Sequence, residues 1–461
     1  MKQHSNGKIL ALLFTGVLMG ALDISIVGPA IPAIEQTIKV DHRSLSWIFS
    51  IYVLFNLVGV SLLSKLSDLY GRRNIYVFSV AVFALGSVIV AFADNITFLL
   101  VGRAVQGFGA SGIFPVASAV IGDIFPPEKR GRTLGMIGAV FGIAFIIGPI
   151  IAGVLLIWFK WNALFLVNLP IAAVVIFYAW RMLPSRRSVI KPHFDWIGML
   201  LIAVLLSSFA FGINNIEASE GIEGILSLKV FPFLLLTLIT FPVFIFLEKR
   251  SPSPVVKIEL FNVKQIRIVG FVAFGTGIIQ SVTIFVPEMA VNVFGVSTSK
   301  ASFMLIPFVL AIAVGSPIAG RLIDKIGSRA IVMTGLLLAA TGLLFFYFNS
   351  ASRFNFYTAG IFIGLGSAML QGSALRYIML NEVQAAERTL GQGIITLFTS
   401  TGQMTGATLI GIIAASASTR LAGYSKSFLI IAIIALYVMF ISYWLKSHNE
   451  ELASASAIVK Q

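Results

Sequence analysis

The sequence predicts an all-helical membrane protein with fourteen transmembrane helices. The chain has 461 residues, of which 58% are hydrophobic and 11% charged, with a mean hydropathy of +0.96. A water-soluble fold cannot bury so much apolar surface. Apolar runs of about 20 residues, the helix length that crosses a hydrocarbon core of roughly 30 Å, recur along the whole chain. An internal repeat divides these runs into two equivalent sets.

The repeat lies in a short polar loop between two apolar runs, and its members keep a constant separation of 256 positions. It is carried by Asp68, Gly71 and Arg73, which recur as Asp324, Gly327 and Arg329. A second match in the same register pairs the Arg-Thr-Leu-Gly segments 132–135 and 388–391. Two matches in one register indicate duplication, a common way of building secondary transporters.

Charged and turn-forming loops bound the apolar runs and give the predicted helices. The first set comprises 9–31, 45–63, 75–93, 97–122, 133–158 and 162–183. Two inserted helices, 196–214 and 228–247, are joined by an acidic loop with Glu217, Glu220 and Glu223. The second set comprises 268–291, 301–320, 330–349, 355–378, 389–416 and 426–445. We therefore expect a six-helix bundle at 1–187, the inserted pair at 188–262, a second six-helix bundle at 263–448 and a cytoplasmic tail at 449–461.

The net charge of +14 is distributed unevenly between the loops on the two sides of the predicted membrane. If the N-terminus is cytoplasmic, most Lys and Arg residues, such as Lys65, Arg72, Lys129, Arg186 and Lys249, fall on the cytoplasmic side. This excess predicts a multi-pass protein of the cytoplasmic (inner) membrane with both termini inside. Membrane topology therefore explains the net positive charge, and nucleic-acid binding is not needed to account for it. The chain has no cysteine, and we expect neither a metal nor a cofactor.

Short motifs occur over nearly the whole chain, at residues 22–27, 66–73, 102–107, 138–153 and 165–170. These motifs resemble signatures of the major facilitator superfamily, specifically its fourteen-helix drug:proton antiporter branch. The resemblance implies two six-helix bundles related by a pseudo-two-fold axis, with two inserted helices. It also implies export of hydrophobic or cationic compounds against proton entry by alternating access. Two positions depart from the signatures, since Ser64 stands where glycine is usual and Ser25 where threonine is usual.

Asp23 and Arg103 are ionisable residues within predicted spans, where an ionised side chain costs roughly 2.5–3.5 kcal/mol on insertion scales. At 1.5 Å per residue, both lie about 10 Å below the outer membrane surface. The resemblance places their helices beside the central cavity, so we expect them to meet. We hypothesise that Asp23 exchanges a proton, because burial favours its neutral form and Arg103 its ionised form. The alternative is a permanent structural pair that locks two helices.

Two further ionisable residues lie near the ends of predicted spans. Glu288 follows Pro287 near the outer interface and is interpreted either as a solvated helix-end acid or as a second proton-coupling site. Arg376 lies near the inner end of its helix, and we expect its side chain to extend to the cytoplasmic surface.

The duplicated polar loops are the predicted conformational latch. A carboxylate in a tight, glycine-containing turn can pair with an arginine or a helix N-terminus in only one of two bundle arrangements. The alternative is that these loops only anchor the topology through positive charge. The latch residues are Asp68, Gly71, Arg72, Arg73, Asp123, Asp324 and Arg329.

Small residues and a proline recur along the fifth predicted helix, namely Gly138, Gly142, Gly148, Pro149 and Gly153. Because small residues let helix backbones approach and proline permits a bend, we expect close packing against the counterpart helix of the second set. The resemblance makes this the antiporter motif, and ordinary helix packing is the alternative.

Polar and aromatic residues at intermediate depth are the candidates for a substrate cavity, although each could equally serve helix packing. They are Tyr52, Gln106, Phe141, Phe145, Gln280, Gln371 and Gln403. We expect a monomeric, proton-coupled exporter of hydrophobic or cationic compounds, with a lipid or glycolipid exporter as the alternative. An enzyme is not expected, because no nucleophile and base share a depth in the spans.

Overall fold

The structure is a computed structural model that describes residues 6–38, 42–184, 195–216, 221–252, 254–296, 298–348, 352–417 and 419–460. Within these ranges all regular structure is helical. The α-helices are α1 (Asn6–Ile38), α2 (His42–Tyr70), α3 (Arg72–Ala91), α4 (Ile96–Ile124), α5 (Pro127–Trp158), α6 (Ala163–Leu166), α7 (Asn168–Met182), α8 (Trp196–Asn214), α9 (Gly221–Leu226), α10 (Phe231–Glu248), α11 (Lys264–Phe294), α12 (Thr298–Phe303), α13 (Ile306–Ile326), α14 (Ser328–Phe348), α15 (Arg353–Met369), α16 (Leu375–Glu382), α17 (Arg388–Ser416), α18 (Arg420–Ser442) and α19 (His448–Lys460).

The predicted number of fourteen transmembrane helices agrees with the structure. Thirteen helices of the described residues are long and apolar enough to cross a membrane. In this count α6 and α7 form one span, and a π-helical turn, Leu370–Ala374, joins α15 to α16 in another. The fourteenth helix is α17, which has 29 residues but is richer in threonine, serine and glutamine.

The described chain divides into two compact units with similar internal packing. In the first unit, α4 packs against α2 and α3, while α7 packs against α1 and α3. In the second unit, α15 packs against α13 and α14, while α18 packs against α11 and α14. The second unit also contains α8 and α10, which pack against each other. The sequence repeat is thus a repeat of helix packing.

Two short segments belong to the unit opposite to their place in the sequence. Residues 127–139, the beginning of α5, belong to the second unit, and residues 384–393, which include the beginning of α17, belong to the first. The compact units therefore differ from simple sequence halves.

The repeated polar loop has the same backbone form in both units. Gly71 ends the turn between α2 and α3 with φ 94°, and Gly327 does so between α13 and α14 with φ 87°. Side-chain-bearing residues rarely adopt positive φ, so these two turns require glycine. The repeat therefore conserves a backbone conformation along with its charges.

Two predicted spans are interrupted. The span predicted at 301–320 is wrong at its start, because α12 ends at Phe303 and α13 begins at Ile306. The span predicted at 162–183 is broken at Val167, between α6 and α7. Pro307 and Pro170 stand in the first turns of the new helices, where a missing N–H breaks no intrahelical hydrogen bond.

Candidate functional site

Asp23 of α1 lies at the centre of a buried polar cluster within the first unit. Its Oδ2 accepts a hydrogen bond from Arg103 Nη1 at 2.5 Å, and both residues are only 1% exposed. Its Oδ1 accepts from Gln106 Nε2 at 2.9 Å and from Asn168 Nδ2 at 3.0 Å. The carboxylate therefore has three donors, one of them charged. Such a complete shell is what a buried ionised group needs.

Arg103 and Gln106 are three residues apart on α4, so their side chains project from the same face. Arg103 Nη1 also donates to Gln106 Oε1 at 2.8 Å, and its Nε donates to the Ile48 carbonyl at 3.2 Å. The guanidinium carbon lies 4.4 Å from the centre of the Tyr52 ring, at cation–π distance. These contacts fix the arginine between α1 and α2.

Ser87 of α3 connects the amides of the cluster. Its Oγ accepts from Gln106 Nε2 at 2.8 Å and from Asn168 Nδ2 at 3.2 Å, and donates to the Phe83 carbonyl at 3.1 Å. The Asp23 cluster, defined as Asp23, Ser87, Arg103, Gln106 and Asn168, thus joins α1, α3, α4 and α7.

Glycines bring the backbones close enough for these short side chains to meet. A Cβ added to Gly86 of α3 would lie 2.5 Å from the Gln106 backbone nitrogen, and one added to Gly107 would overlap the Tyr52 backbone. Any side chain at either position would push α4 away from its neighbours. The glycine after Gln106 therefore serves packing that positions the cluster.

Gln106 and Tyr52 were expected to line a substrate cavity, and the structure corrects both assignments. Gln106 is fully buried as a ligand of Asp23, and Tyr52 is covered by the Arg103 guanidinium. Of the other candidates, Phe141 packs edge-on against Phe114 with ring centroids 5.4 Å apart, and Phe145 is exposed.

The remaining cavity candidates lie in the second unit. Gln280 and Gln403 are half-buried on α11 and α17, and the Gln280 side-chain nitrogen has no hydrogen-bond partner among the described residues. The side chain of Gln371 lies outside the described part of the structure.

Glu288, half-buried on α11, accepts a hydrogen bond from Asn292 Nδ2 through its backbone carbonyl. The expectation that Arg376 extends to the surface is wrong, because the side chain is buried and donates to Thr396 Oγ1 at 3.2 Å.

The first predicted latch carboxylate meets a helix N-terminus within the first unit. Asp68 accepts hydrogen bonds from the backbone nitrogens of Thr389 at 3.2 Å and Leu390 at 2.8 Å, in the first turn of α17. These N–H groups have no intrahelical partner, and the helix dipole adds partial positive charge. A carboxylate from the first repeat therefore caps a helix from the second.

Arg72 and Arg388 complete this contact. We define the Asp68 cluster as Asp68, Arg72, Asp123, Arg388 and Thr389. Arg72 pairs with Asp123 through Nε and donates to Thr389 Oγ1 at 3.0 Å and to the Ala385 carbonyl at 2.6 Å. Arg388 Nη1 lies 2.8 Å from the other oxygen of Asp123. Asp123 is thereby held between two arginines, one from each repeat.

The second latch carboxylate makes the equivalent contact within the second unit. Asp324 accepts from the backbone nitrogens of Gly131 at 2.9 Å and Arg132 at 2.8 Å, near the beginning of α5. Arg130 Nη1 donates to Asn381 Oδ1 at 2.6 Å beside it. The two repeats therefore exchange carboxylate contacts reciprocally.

Arg73 and Arg329 were assigned to the latch, and the structure corrects this. Arg73 lies over the Trp180 ring at 4.8 Å, and Arg329 lies over the Tyr443 ring at 4.2 Å. Consecutive residues on a helix point about 100° apart, so Arg73 is turned away from the contacts of Arg72. The repeated arginine is an aromatic-stacking residue in both units.

The glycines of α5 divide between two contacts and one open surface. A Cβ added to Gly138 would lie 2.5 Å from the Gly372 Cα, in the π-helical turn, and Gly148 packs against Ser25. Ser25 Oγ also donates to the Ala144 carbonyl at 3.0 Å. Gly142 is buried. A Cβ added to Gly153 would have no atom within 4 Å among the described residues, so the expected close packing at Gly153 is wrong. Pro149 is exposed within the helix.

Sequence reasoning missed the uncharged members of the Asp23 cluster and the second-repeat side of the Asp68 cluster. Asn168 was visible only as part of a connector motif, and Ser87 carried no signal. Arg388 and Thr389 do lie in the second repeat match, at 388–391, so the duplication itself pointed to them. That signal identified the segment without its partner.

Comparison with known proteins agrees with this architecture. The model of the Major Facilitator Superfamily matches residues 13–264 and 268–458, so the chain belongs to that superfamily. It is 29% identical to Multidrug resistance protein 3 of Bacillus subtilis (strain 168) over 346 residues, which cover 74% of this chain and 66% of that protein. It is also 29% identical over 422 residues to a triacylglyceride transporter of Mycolicibacterium smegmatis, covering 86% and 73% of the two chains.

The fold is also shared with solved structures. The crystal structure of the human organic anion transporter MFSD10 superposes with a TM-score of 0.67 at 15% identity, covering 95% of this chain and all of the other. The protein is therefore a multi-pass membrane transporter with the major facilitator fold.

Proposed function

We propose that this protein is a proton-coupled exporter of hydrophobic or cationic compounds, working by alternating access in the cytoplasmic membrane with both termini inside. The observation that carries the proposal is the buried Asp23, whose ionised form is matched by three donors from α4 and α7. An acid at this depth is expensive unless it has a function or a permanent partner. Relatives named for multidrug resistance support the substrate class.

Protonation of Asp23 changes the bonding between α1 and α4. A proton on the carboxyl removes its charge and one acceptor site, so Arg103 loses its anionic partner. Arg103 still donates to Gln106 Oε1 on α4 and to the Ile48 carbonyl on α2, and these bonds keep the arginine in place. Loading or unloading one proton thus alters the bond between two helices, which is the coupling that antiport requires.

The Asp68 cluster and the Asp324 contact are the proposed conformational latch. Each joins a carboxylate of one repeat to the first turns of a helix from the other repeat, so separation of the repeats breaks both contacts. Opening at these contacts would expose the backbone N–H groups and the arginines to water. Hydrogen bonds to water would then replace those to the carboxylates. Glu288 on α11 remains a candidate for a second proton-coupling site.

The experiment compares efflux of a preloaded cationic dye from energised intact cells that produce wild-type protein or the Asp23→Asn variant. We expect at least a tenfold loss of pH-gradient-driven efflux, because an amide cannot exchange a proton. Asp195→Asn is the matched control: Asp195 caps α8 through a 2.7 Å bond to the Gly198 nitrogen, and asparagine caps equally well. Gradient-driven efflux at the wild-type rate in Asp23→Asn, at equal protein level, would overturn the proposal.

A lipid exporter is the second candidate, because the chain resembles a triacylglyceride transporter as closely as it resembles Multidrug resistance protein 3. The two candidates differ in cargo and share the coupling site. Dye efflux and fluorescent triacylglyceride translocation should be measured in the same proteoliposomes, with and without a pH gradient. Gradient-stimulated lipid translocation without dye efflux would favour the lipid exporter.

A further inference from the structure

A cavity of about 460 Å³ opens in the second unit, where the ends of three helices meet. Its walls come from the beginnings of α11 and α14 and from the residues that follow α18. The volume is within the range of roughly 300–1,000 Å³ that is usual for small-ligand sites. None of the contacts of the Asp23 cluster, the Asp68 cluster or Asp324 involves this cavity.

The side chains that line the cavity carry a net positive charge. Lys264, Arg329 and Lys446 line it, against Glu450 as the lining carboxylate. Hydrogen bonds from the Ser447 backbone and hydroxyl lower the pKa of Glu450, so it is ionised at neutral pH. Lys446 Nζ forms an ion pair with Glu382 Oε1 at 2.5 Å. Lys264 and Arg329 therefore provide the charge available to an anion.

Gln265 is an independent sign that a ligand belongs here. It lines the cavity, is only 4% exposed, and its side-chain nitrogen has no hydrogen-bond partner among the described residues. A buried donor without an acceptor is costly, and an anion would supply the acceptor. Gln265 lies in the first turn of α11, which no side chain caps, so the helix dipole favours negative charge at the same place.

An apolar surface leads from the cavity along α18. Tyr437 and Phe440 are 58% and 62% exposed and lie three residues apart on one face of α18. Trp444, 46% exposed in the turn after the helix, lies edge-on to Phe440 with ring centroids 4.9 Å apart. Phe271 of α11 lies edge-on to Tyr437 with ring centroids 6.0 Å apart, so aromatic rings continue across both helices. Exposed aromatic rings beside a basic rim are typical of the membrane interface.

We propose that this cavity binds the phosphate headgroup of an anionic phospholipid of the cytoplasmic leaflet, with an acyl chain lying along Phe440 and Tyr437. The proposal depends on the topology proposed above, which places the ends of α11, α14 and α18 on the cytoplasmic side. Basic pockets between transmembrane helices on that side suit such headgroups. The exposed aromatic surface favours a lipid over free phosphate, which has no apolar part. This lipid is a bound boundary lipid and is distinct from exported cargo.

The test measures lipid binding to the purified full chain by native mass spectrometry. Phosphatidylglycerol and phosphatidylcholine are titrated against wild type and the Lys264→Gln, Arg329→Gln and Gln265→Leu variants. We expect preferential binding of phosphatidylglycerol, weakened about fivefold by either loss of charge. Arg250→Gln is the matched control, because Arg250 also stacks on an aromatic ring, Phe246 at 4.0 Å, outside the cavity.

Three results would overturn the proposal. They are equal binding of the two lipids, an equal loss of phosphatidylglycerol binding in Arg250→Gln, and competition by millimolar inorganic phosphate that fully displaces the lipid. Preserved binding of phosphatidylglycerol in Asp23→Asn, with loss in Lys264→Gln, would support it. Because Asp23→Asn changes the coupling site and Lys264→Gln changes the cavity, failure of the transport proposal is distinguishable from failure of the lipid site.

Discussion

At the residue scale, the meeting of Asp23 and Arg103 could be predicted from their matched depth together with the family resemblance, which places both helices beside the central cavity. Two opposite charges in hydrocarbon need partners, and few ionisable residues share their depth. The amide and hydroxyl groups of Gln106, Asn168 and Ser87 could not be assigned in this way. Uncharged polar side chains are tolerated in many helix interfaces, and which face they occupy depends on helix rotation, which hydropathy does not determine.

Asn168→Leu tests whether the amide shell stabilises the cluster. Asn168 donates to both Asp23 and Ser87 in a buried site, so we expect leucine to lower the free energy of unfolding by about 1.5–3 kcal/mol. Asn74→Leu is the control, because Asn74 is half-buried outside the Asp23 cluster and, among the described residues, donates to the Tyr70 carbonyl within its own turn. Unfolding midpoints of both purified variants give the comparison. An equal decrease in the two variants would contradict a special role for Asn168.

At the element scale, the repeat predicted a tight glycine-containing turn after both Asp68 and Asp324, but it did not give the partners of these carboxylates. The partners are the first turns of α17 and α5, which belong to distant segments of the chain. A helix N-terminus is a backbone feature with little side-chain signature, so sequence inspection identifies the carboxylate and misses the N–H groups. The repeat also did not identify Trp180 and Tyr443, the aromatic partners of Arg73 and Arg329, which lie in distant segments of the chain.

Asp68→Asn should weaken the Asp68 cluster and open it more often. Asparagine keeps one acceptor but loses the charge, an effect of roughly 0.3–1 kcal/mol at a helix N-terminus, equivalent to about a two- to fivefold change in the opening equilibrium. The native chain has no cysteine, so a Ser64→Cys background provides a single reporter. Ser64 is buried against Gly393, on α17.

The expected result is maleimide labelling that is two- to fivefold faster in Asp68→Asn than in the reporter background. Asp94→Asn is the control, since Asp94 is exposed in the loop before α4 and, within the described part of the chain, accepts a hydrogen bond from its neighbour Asn95. Unchanged labelling in Asp68→Asn would argue that the loop only anchors topology.

The predicted tail at 449–461 contains helix α19, and its docking should depend on pH. Glu451 is buried and accepts hydrogen bonds from the Ser328 nitrogen and hydroxyl at the start of α14. Burial raises the pKa of Glu451 from 4.5 to about 7, with Glu382 acting in the same direction, whereas the Ser328 hydrogen bonds and Lys446 act to lower it. The raised pKa means that docking favours the protonated acid. The resulting stabilisation is complete below about pH 4.5 and is lost as the pH rises through about 7.

Hydrogen exchange of the α19 amides measures this docking. In wild type, exchange corrected for its intrinsic pH dependence should accelerate between pH 6 and 8. Glu451→Gln, which imitates the neutral acid, should remove that acceleration. The same pH profile in both proteins would exclude Glu451 as its source.

At the scale of the whole molecule, hydropathy and the repeat together predicted the helix count and the duplicated packing. They could not predict that residues 127–139 and 384–393 belong to the opposite compact unit, because contiguous sequence suggested that each half is self-contained. The prolines that interrupt the predicted spans 162–183 and 301–320 were visible. Proline is tolerated in membrane helices, however, so its presence alone did not decide between a bend and a break.

If Asp23 takes up and releases a proton as the transporter works, then the movement of protons across the membrane can be measured itself. Protein reconstituted in liposomes with an imposed pH gradient and an internal pH dye is supplied with a cationic dye substrate. We expect substrate-dependent dissipation of the gradient by wild type and by Asp195→Asn, and none by Asp23→Asn. Dissipation at the wild-type rate by Asp23→Asn would contradict this expectation.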